Sequence, residues 1–219
     1  SQKYEVNQYM IQSVLSKVRE GEIAIPEIQR PFVWDASQVR DLLDSLYKGY
    51  PVGYLIAWRN PDVRLKDGSI AQGRMILIDG QQRVTALTAA ILGQQIINKD
   101  YRKVHIRIAF HPLRQEFKVA DASTAKDPAW IADVAPIVSG EVSLLKAVRA
   151  YEKANPEVAE DKIESALTAL ADVAKKQVGL IELSHDLDIE TVTEIFIRIN
   201  SKGTVLSQAD FVMSKIAAA

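Results

Sequence analysis

Apolar residues recur along this chain at two spacings, and each spacing marks a kind of element. Ile11, Val14, Leu15 and Val18 repeat at helical intervals, which predicts a helix over residues 7–20, with Asn7 as its cap and Gly21 as its stop. Ile23 and Ile25 then share one face of a short strand over 22–26. Pro26 and Pro31 forbid a regular helix in the next segment and favour an extended loop through Phe32 and Trp34. Val39, Leu42, Leu43, Leu46 and Tyr47 stripe a second helix over 36–48, broken by Gly49, Pro51 and Gly53. Residues 53–59 read as a strand, Asn60-Pro61-Asp62 as a turn, 64–69 as a polar hairpin region and 74–78 as an apolar strand. A helix with Val84, Leu87, Thr88 and Ile91 comes next. Val104, Ile106, Ile108 and Phe110 alternate with His105, Arg107 and Ala109, the pattern of a half-buried strand.

The composition shifts near Asp121. From there to about residue 177, stripes at Leu144, Leu145, Val148 and Tyr151, and at Ile163, Leu167, Leu170 and Val173, predict helices that are polar on one side. Residues 178–183 are apolar enough for a returning strand. Val192, Ile195, Phe196 and Ile199 stripe another helix, which exits at Asn200-Ser201-Lys202-Gly203. Ser207 and Asp210 resemble a capping pair opening a last helix, and its stop at Ala219 after barely three turns reads as a fragment of a longer chain. The expected class is α/β in the α+β sense. The expected organisation is a core over 1–120 and a mainly helical lobe with a returning strand over 121–219.

Composition narrows the chemistry. With 219 residues, 47% hydrophobic and 25% charged, the chain can bury a core as one large domain or a domain with an added lobe. No apolar run approaches the length needed to span a bilayer, so no membrane partner is expected. The absence of cysteine removes disulfides, thiol nucleophiles and thiolate metal sites, and fits a reducing, cytoplasmic setting. Three isolated histidines, His105, His111 and His185, lack metal-ligand spacing, which argues against a zinc or HNH nuclease centre and for no metal site built by the protein. A net charge of −1 excludes a general nucleic-acid coating protein, so any DNA contact must be a local patch. Residues 98–118 offer one, with six basic side chains against two acidic, a local net of +4. Either it is a solvated strand face, or Arg102, Lys103 and Arg107 meet DNA.

Conventional nucleotide motifs are missing. Residues 68–75 read Gly-x-x-x-x-Gly-Arg-Met, without the lysine and hydroxyl that hold phosphate and Mg²⁺ in a Walker loop. The richest local chemistry is Asp79-Gly80-Gln81-Gln82-Arg83, placed between the apolar run Met75–Ile78 and a helix. A strand ending in a glycine turn with a helix starting at once aims backbone N–H groups and a helix dipole at one spot. Arg83 adds a planar cation there, a plausible seat for phosphate. The alternative is structural, with Asp79 capping the helix and Arg83 pairing a carboxylate. Gln29-Arg30, between prolines and before Phe32 and Trp34, could grip phosphate or serve only structure, the two aromatics being core. Asn200 to Thr204 is either a plain helix exit or a polar loop over a ligand.

Three separated segments resemble one family: residues 25–34 (Ile-Pro-Glu-Ile-Gln-Arg-Pro-Phe-Val-Trp), 78–87 (Ile-Asp-Gly-Gln-Gln-Arg-Val-Thr-Ala-Leu) and 196–207 (Phe-Ile-Arg-Ile-Asn-Ser-Lys-Gly-Thr-Val-Leu-Ser). Tyr50-Pro51-Val52-Gly53 fits as well. In this order the chain resembles the N-terminal domain of GmrSD-type, modification-dependent restriction endonucleases. The resemblance implies a ParB/sulfiredoxin-like core with a helical lobe, and nucleoside triphosphate bound and hydrolysed, with Mg²⁺, in bacterial defence against phage or modified DNA. It assigns nucleotide contacts to Asp79, Gly80, Gln81, Gln82 and Arg83, with Asp79, Gln82 and Arg83 as the catalytic set. It sets Gln29 and Arg30 at the same pocket or at the DNA-sensing surface, and Asn200 and Gly203 at its far wall. It further implies an HNH nuclease partner absent from these residues. Two functions are then open: a regulatory domain that hydrolyses nucleotide, or a DNA-binding scaffold that holds phosphate without turnover.

Overall fold

The computed structural model describes residues 2–25, 31–59 and 74–199. Gln29, Arg30, Asn200 and Gly203 therefore lie outside the described residues. So do the turn and polar hairpin expected over 60–69 and the last helix expected from Ser207 and Asp210.

Period-two alternation wins at the N-terminus. β1 (Tyr4–Met10) is a strand, and α1 (Ile11–Arg19) begins only after it. Asn7 is thus not a helix cap; it lies mid-strand opposite Leu180 and donates a side-chain hydrogen bond to Glu182. A partner strand from far along the chain supplies the pairing that a local reading cannot see. β2 (Ile23–Ala24) comes next, then α2 (Ala36–Lys48), opened by a reciprocal capping box between Asp35 and Gln38 and ended at left-handed Gly49. β3 (Leu55–Arg59), β4 (Met75–Asp79) and α3 (Gln81–Leu92) complete the first half of the main sheet and the helices against it.

The half-buried strand expected over 104–110 is instead two hairpins. β5 (Ile96–Ile97) pairs β6 (Lys103–Val104), and β7 (Ile108–His111) pairs β8 (Glu116–Val119). All four residues of β7 are buried, because Ile131 bridges Phe110 from one side while Tyr47 and Phe117 pack on its ring. Enclosure on both sides replaces the half-exposed ribbon that the alternation suggests.

Four helices then succeed one another: α4 (Ala122–Lys126), α5 (Ala135–Val138), α6 (Leu144–Ala154) and α7 (Glu160–Ala171), the last running into a tight turn at Asp172–Lys175. β9 (Gln177–Leu183) returns to the sheet and α8 (Ile189–Ile199) closes over it. The sheet order is β1-β9-β3-β4-β2, mixed in direction: β1 is antiparallel to β9, β9 parallel to β3, β3 antiparallel to β4 and β4 parallel to β2. The molecule is α+β.

Alternation along the sheet sorts two cores. Leu55, Ala57, Met75, Leu77 and Leu180 face the larger one, shared with α1, α2, α3 and with Ile163, Leu167 and Leu170 of α7. Ile56, Trp58, Ile76 and Ile78 face the smaller one, closed by Val192 and Phe196 of α8. Among the described residues no helix is long and apolar enough to cross a membrane.

Candidate functional site

The Asp79–Arg83 segment sits where β4 hands over to α3. Gly80 makes the corner, with φ 96° and ψ 12°. A Cβ there would lie 2.2 Å from Leu55 Cδ2, so both the conformation and the space require glycine. The helix begins immediately. Gln81, Gln82 and Arg83 are its first turn, and among the described residues no side chain caps their N–H groups.

The three long side chains of that turn reach to three different places. Gln81 Nε2 donates back to the Leu77 carbonyl at 3.1 Å. Gln82 grips the Pro31–Val33 stretch from both ends, accepting from the Val33 N–H at 3.0 Å and donating to the Pro31 carbonyl at 3.4 Å. Arg83 donates from Nη1 to the Val52 carbonyl at 2.9 Å and from Nη2 to the Tyr54 carbonyl at 2.7 Å. Gly53 between them has φ 89°, and a Cβ there would stand 3.0 Å from Arg83 Nη1. The segments around Pro31 and Gly53 are thus fastened to the α3 turn by its own side chains. Sequence reasoning missed these bonds because their partners are backbone groups, which carry no side-chain signal; Gly53 is the one local hint.

The structural alternative takes a different form from the one expected. Asp79 does not cap α3, and the nearest described carboxylate to Arg83 is Asp79 itself, at a loose 3.8 Å. Two neutral carbonyls fix the guanidinium without cancelling its charge. Burial pulls the Arg83 pKa below its ordinary value and Asp79 opposes that pull, yet guanidinium remains a cation at any working pH. Burial likewise raises the Asp79 pKa, against the opposing pull of Arg83 and of the Gly80 N–H. The result is a fixed cation, a carboxyl of raised proton affinity and a helix start that no described side chain caps, all at one corner.

A metal would find little protein here. Among the described residues no three His, Asp or Glu side chains converge, so Asp79 could offer Mg²⁺ one ligand and phosphate oxygens and water would supply the rest. The residues fit a metal that arrives on a polyphosphate, not a cage.

The basic stretch is divided by the fold. Arg102 and Lys103 belong to the β5–β6 hairpin and are exposed. Arg107 lies between the two hairpins and pairs with Asp133 at 4.0 Å. The hairpin docks beside the Gln82 grip, since the Phe32 N–H donates to the Ile97 carbonyl at 2.9 Å. Glu182, which no sequence motif singles out, is buried in the sheet with Arg59 at 2.9 Å and with Asn7.

Comparison with known proteins adds the family. An uncharacterized protein of Methanocaldococcus jannaschii, MJ0686, is 32% identical over 92 residues, which cover 36% of this chain and 16% of that one, so the chain spans a small part of this relative's length. A family profile described as "GmrSD restriction endonuclease, N-terminal domain" matches residues 11–217, and on that near-complete match the chain belongs to the GmrSD restriction endonuclease N-terminal domain family.

Proposed function

We propose that this chain is the nucleotide-responsive domain of a restriction system, binding nucleoside triphosphate at the Asp79–Arg83 corner and hydrolysing it slowly. The observation that carries the reading is the first turn of α3, without a side-chain cap among the described residues, beside an arginine held by two neutral carbonyls. Such a corner presents fixed donors and a fixed positive charge where phosphate charge would sit, with no reorganisation needed on binding. Hydrolysis would be in-line: water attacks the γ-phosphorus, the bond to the β–γ bridging oxygen breaks, and nucleoside diphosphate, inorganic phosphate and one proton leave. Asp79, whose burial raises its pKa, would orient that water and take its proton. Arg83 and the α3 N–H groups would stabilise charge on the transferred group, and Gln82 would keep the wall at Pro31–Val33 in register. Asp79 would offer one ligand to Mg²⁺ carried in on the triphosphate, where the ion would neutralise phosphate charge.

Membership of the family supports a nuclease partner and a DNA target, modified or of phage origin, for the whole protein. Cleavage belongs to that partner in this reading, with nucleotide state gating it.

The test is thermal melting with ATP, GTP, CTP or UTP plus Mg²⁺, then phosphate release on any nucleotide that shifts the melt. A ligand at about 100 times its Kd stabilises a fold by roughly 2.7 kcal/mol, easily seen in a melt. The parent chain should shift, and Arg83→Ala, compared with its own ligand-free melt, should not. Asp79→Asn should still shift but release no phosphate. No shift with any of the four nucleotides would refute the reading.

A further inference from the structure

The β5–β6 hairpin carries an aromatic ring that the fold itself does not use. Its turn is closed by one residue, Asn98. The Asn98 side-chain oxygen accepts from the N–H groups of Asp100 at 2.9 Å and Arg102 at 3.0 Å. The Asn98 carbonyl accepts from Tyr101 N–H at 2.9 Å, and the Asn98 N–H donates to the Arg102 carbonyl at 2.9 Å. This turn holds Tyr101 at φ 57°, a left-handed backbone that a bulky side chain occupies only at a cost. Burial of the ring does not offset that cost. Tyr101 is 77% exposed, the highest value among the exposed large apolar and aromatic side chains of the described residues.

Charge surrounds the ring in an equally unused state. Lys99, Arg102 and Lys103 are exposed, and among the described residues none has a carboxylate within ion-pair distance. Asp100 is the one acidic residue in the turn. Farther along the same basic stretch Arg107 pairs with Asp133 at 4.0 Å and Lys118 with Asp121 at 3.2 Å, while Arg114 is exposed with no ion pair among the described residues. Three cations without an ion pair among the described residues thus share one hairpin with the exposed ring. The hairpin is also anchored at its base, through Phe32 N–H on the Ile97 carbonyl and the parallel bridge of Phe32 with Asn98, so it stands as a fixed projection.

A rigid turn that displays a ring among unpaired cations is complementary to a polyanion with exposed π-faces. We propose that the β5–β6 hairpin is a contact for unpaired bases of DNA, with Tyr101 stacking on a base and Lys99, Arg102 and Lys103 taking the flanking phosphates. Single-stranded or locally opened DNA offers base faces to a projecting ring; an intact duplex hides them in its stack. With a net charge of −1, the chain has no general field to hold DNA, so the contact must be local. This surface and its residues are separate from the Asp79–Arg83 corner, and the inference does not depend on nucleotide binding there.

Fluorescence anisotropy with a labelled single-stranded oligodeoxynucleotide of mixed sequence, and with its duplex, tests the contact on the full chain. The parent should prefer the single strand. Tyr101→Ala should weaken that binding by roughly tenfold, the scale of one lost base–aromatic stack, and Tyr101→Trp should keep it. Arg102→Gln with Lys103→Gln should flatten the slope of log K against log salt by roughly 1.4, at about 0.7 for each phosphate contact on a single strand. Tyr101→Gly separates binding from folding: it suits the left-handed turn and should melt no lower than the parent, yet bind as weakly as Tyr101→Ala. The proposal is overturned if the parent does not bind the single strand, if Tyr101→Ala binds like the parent, if the salt slope is unchanged in the double variant, or if the duplex binds better.

Discussion

At the scale of single residues, Asp79 is where stability and chemistry pull apart. Its folded pKa stands above the ordinary value of 3.8 because burial outweighs both Arg83 and the Gly80 N–H. Between the unfolded and folded values the folded state holds more protons than the unfolded one, so stability falls as pH rises through that window. Above the window the loss is complete and constant. Asp79→Asn removes the group that must ionise in a buried place. At pH 7 this variant should melt above the parent, and the difference should shrink as pH falls toward the unfolded pKa. Melts of both chains from pH 7 down to pH 4 check the sign; a variant less stable than the parent at pH 7 would show that the loose 3.8 Å pair with Arg83 outweighs burial. A higher melt joined to lost phosphate release would mark a carboxyl kept in place for chemistry at a cost in stability.

At the scale of elements, two glycines separate a corner that must be glycine from one that merely tolerates it. At Gly80 an added methyl meets Leu55 Cδ2 at 2.2 Å and a backbone at φ 96°. Left-handed strain of about 1–2 kcal/mol and overpacking of about 1–3 kcal/mol should together cost Gly80→Ala roughly 2–5 kcal/mol. At Gly179 the closest approach of the added methyl is to the Tyr54 ring, at 2.4 Å, and that side chain is 53% exposed and free to swing away. Gly179→Ala should therefore stay within about 1 kcal/mol of the parent, because a strand prefers alanine to glycine by a similar amount. Denaturant midpoints of the two variants measure the contrast. The strand–glycine–helix handover at residues 75–92 is legible in sequence because an apolar run, a glycine and a helical stripe are all local signals. What the corner fastens is not legible, since Gln82 and Arg83 bond to backbone at Pro31, Val33, Val52 and Tyr54, which any side chains could have accompanied. β1 fails in sequence for a related reason: its partner lies far along the chain, and an adjoining helical stripe in α1 drowns its alternation. α2, with its capping box and glycine stop, needs no distant partner and is read correctly from residue 36 to residue 48.

At the scale of the whole molecule, the fold is closed by its late strand. β9 lies between β1 and β3, so the first strand of the chain joins the sheet through residues 177–183. Seven register pairs join β1 to β9, and Glu182 within that strand is held by Asn7 from one side and Arg59 from the other. The larger core is continuous across residue 120 as well: Leu43, Leu77 and Leu87 belong to the same cluster as Ile163, Leu167, Leu170 and Leu180. A chain ending at residue 120 would lose the strand that pairs β1, leave Arg59 without its Glu182 carboxylate and strip one wall from the core around α2 and α3. Exposing several fully buried side chains at about 1.5–3 kcal/mol each is comparable to the roughly 5–15 kcal/mol that holds an ordinary domain together. Residues 1–120 alone should therefore show no cooperative melt and no near-ultraviolet circular dichroism, while the full chain shows both. A cooperative transition in the shorter chain would mean that the β3-β4-β2 sheet with α2 and α3 stands on its own. The packing argues that it does not: Leu55, against which the Gly80 corner packs, sits in β3 opposite Leu180 of β9, so the strand that flanks the corner is itself braced by a strand from beyond the helical segment.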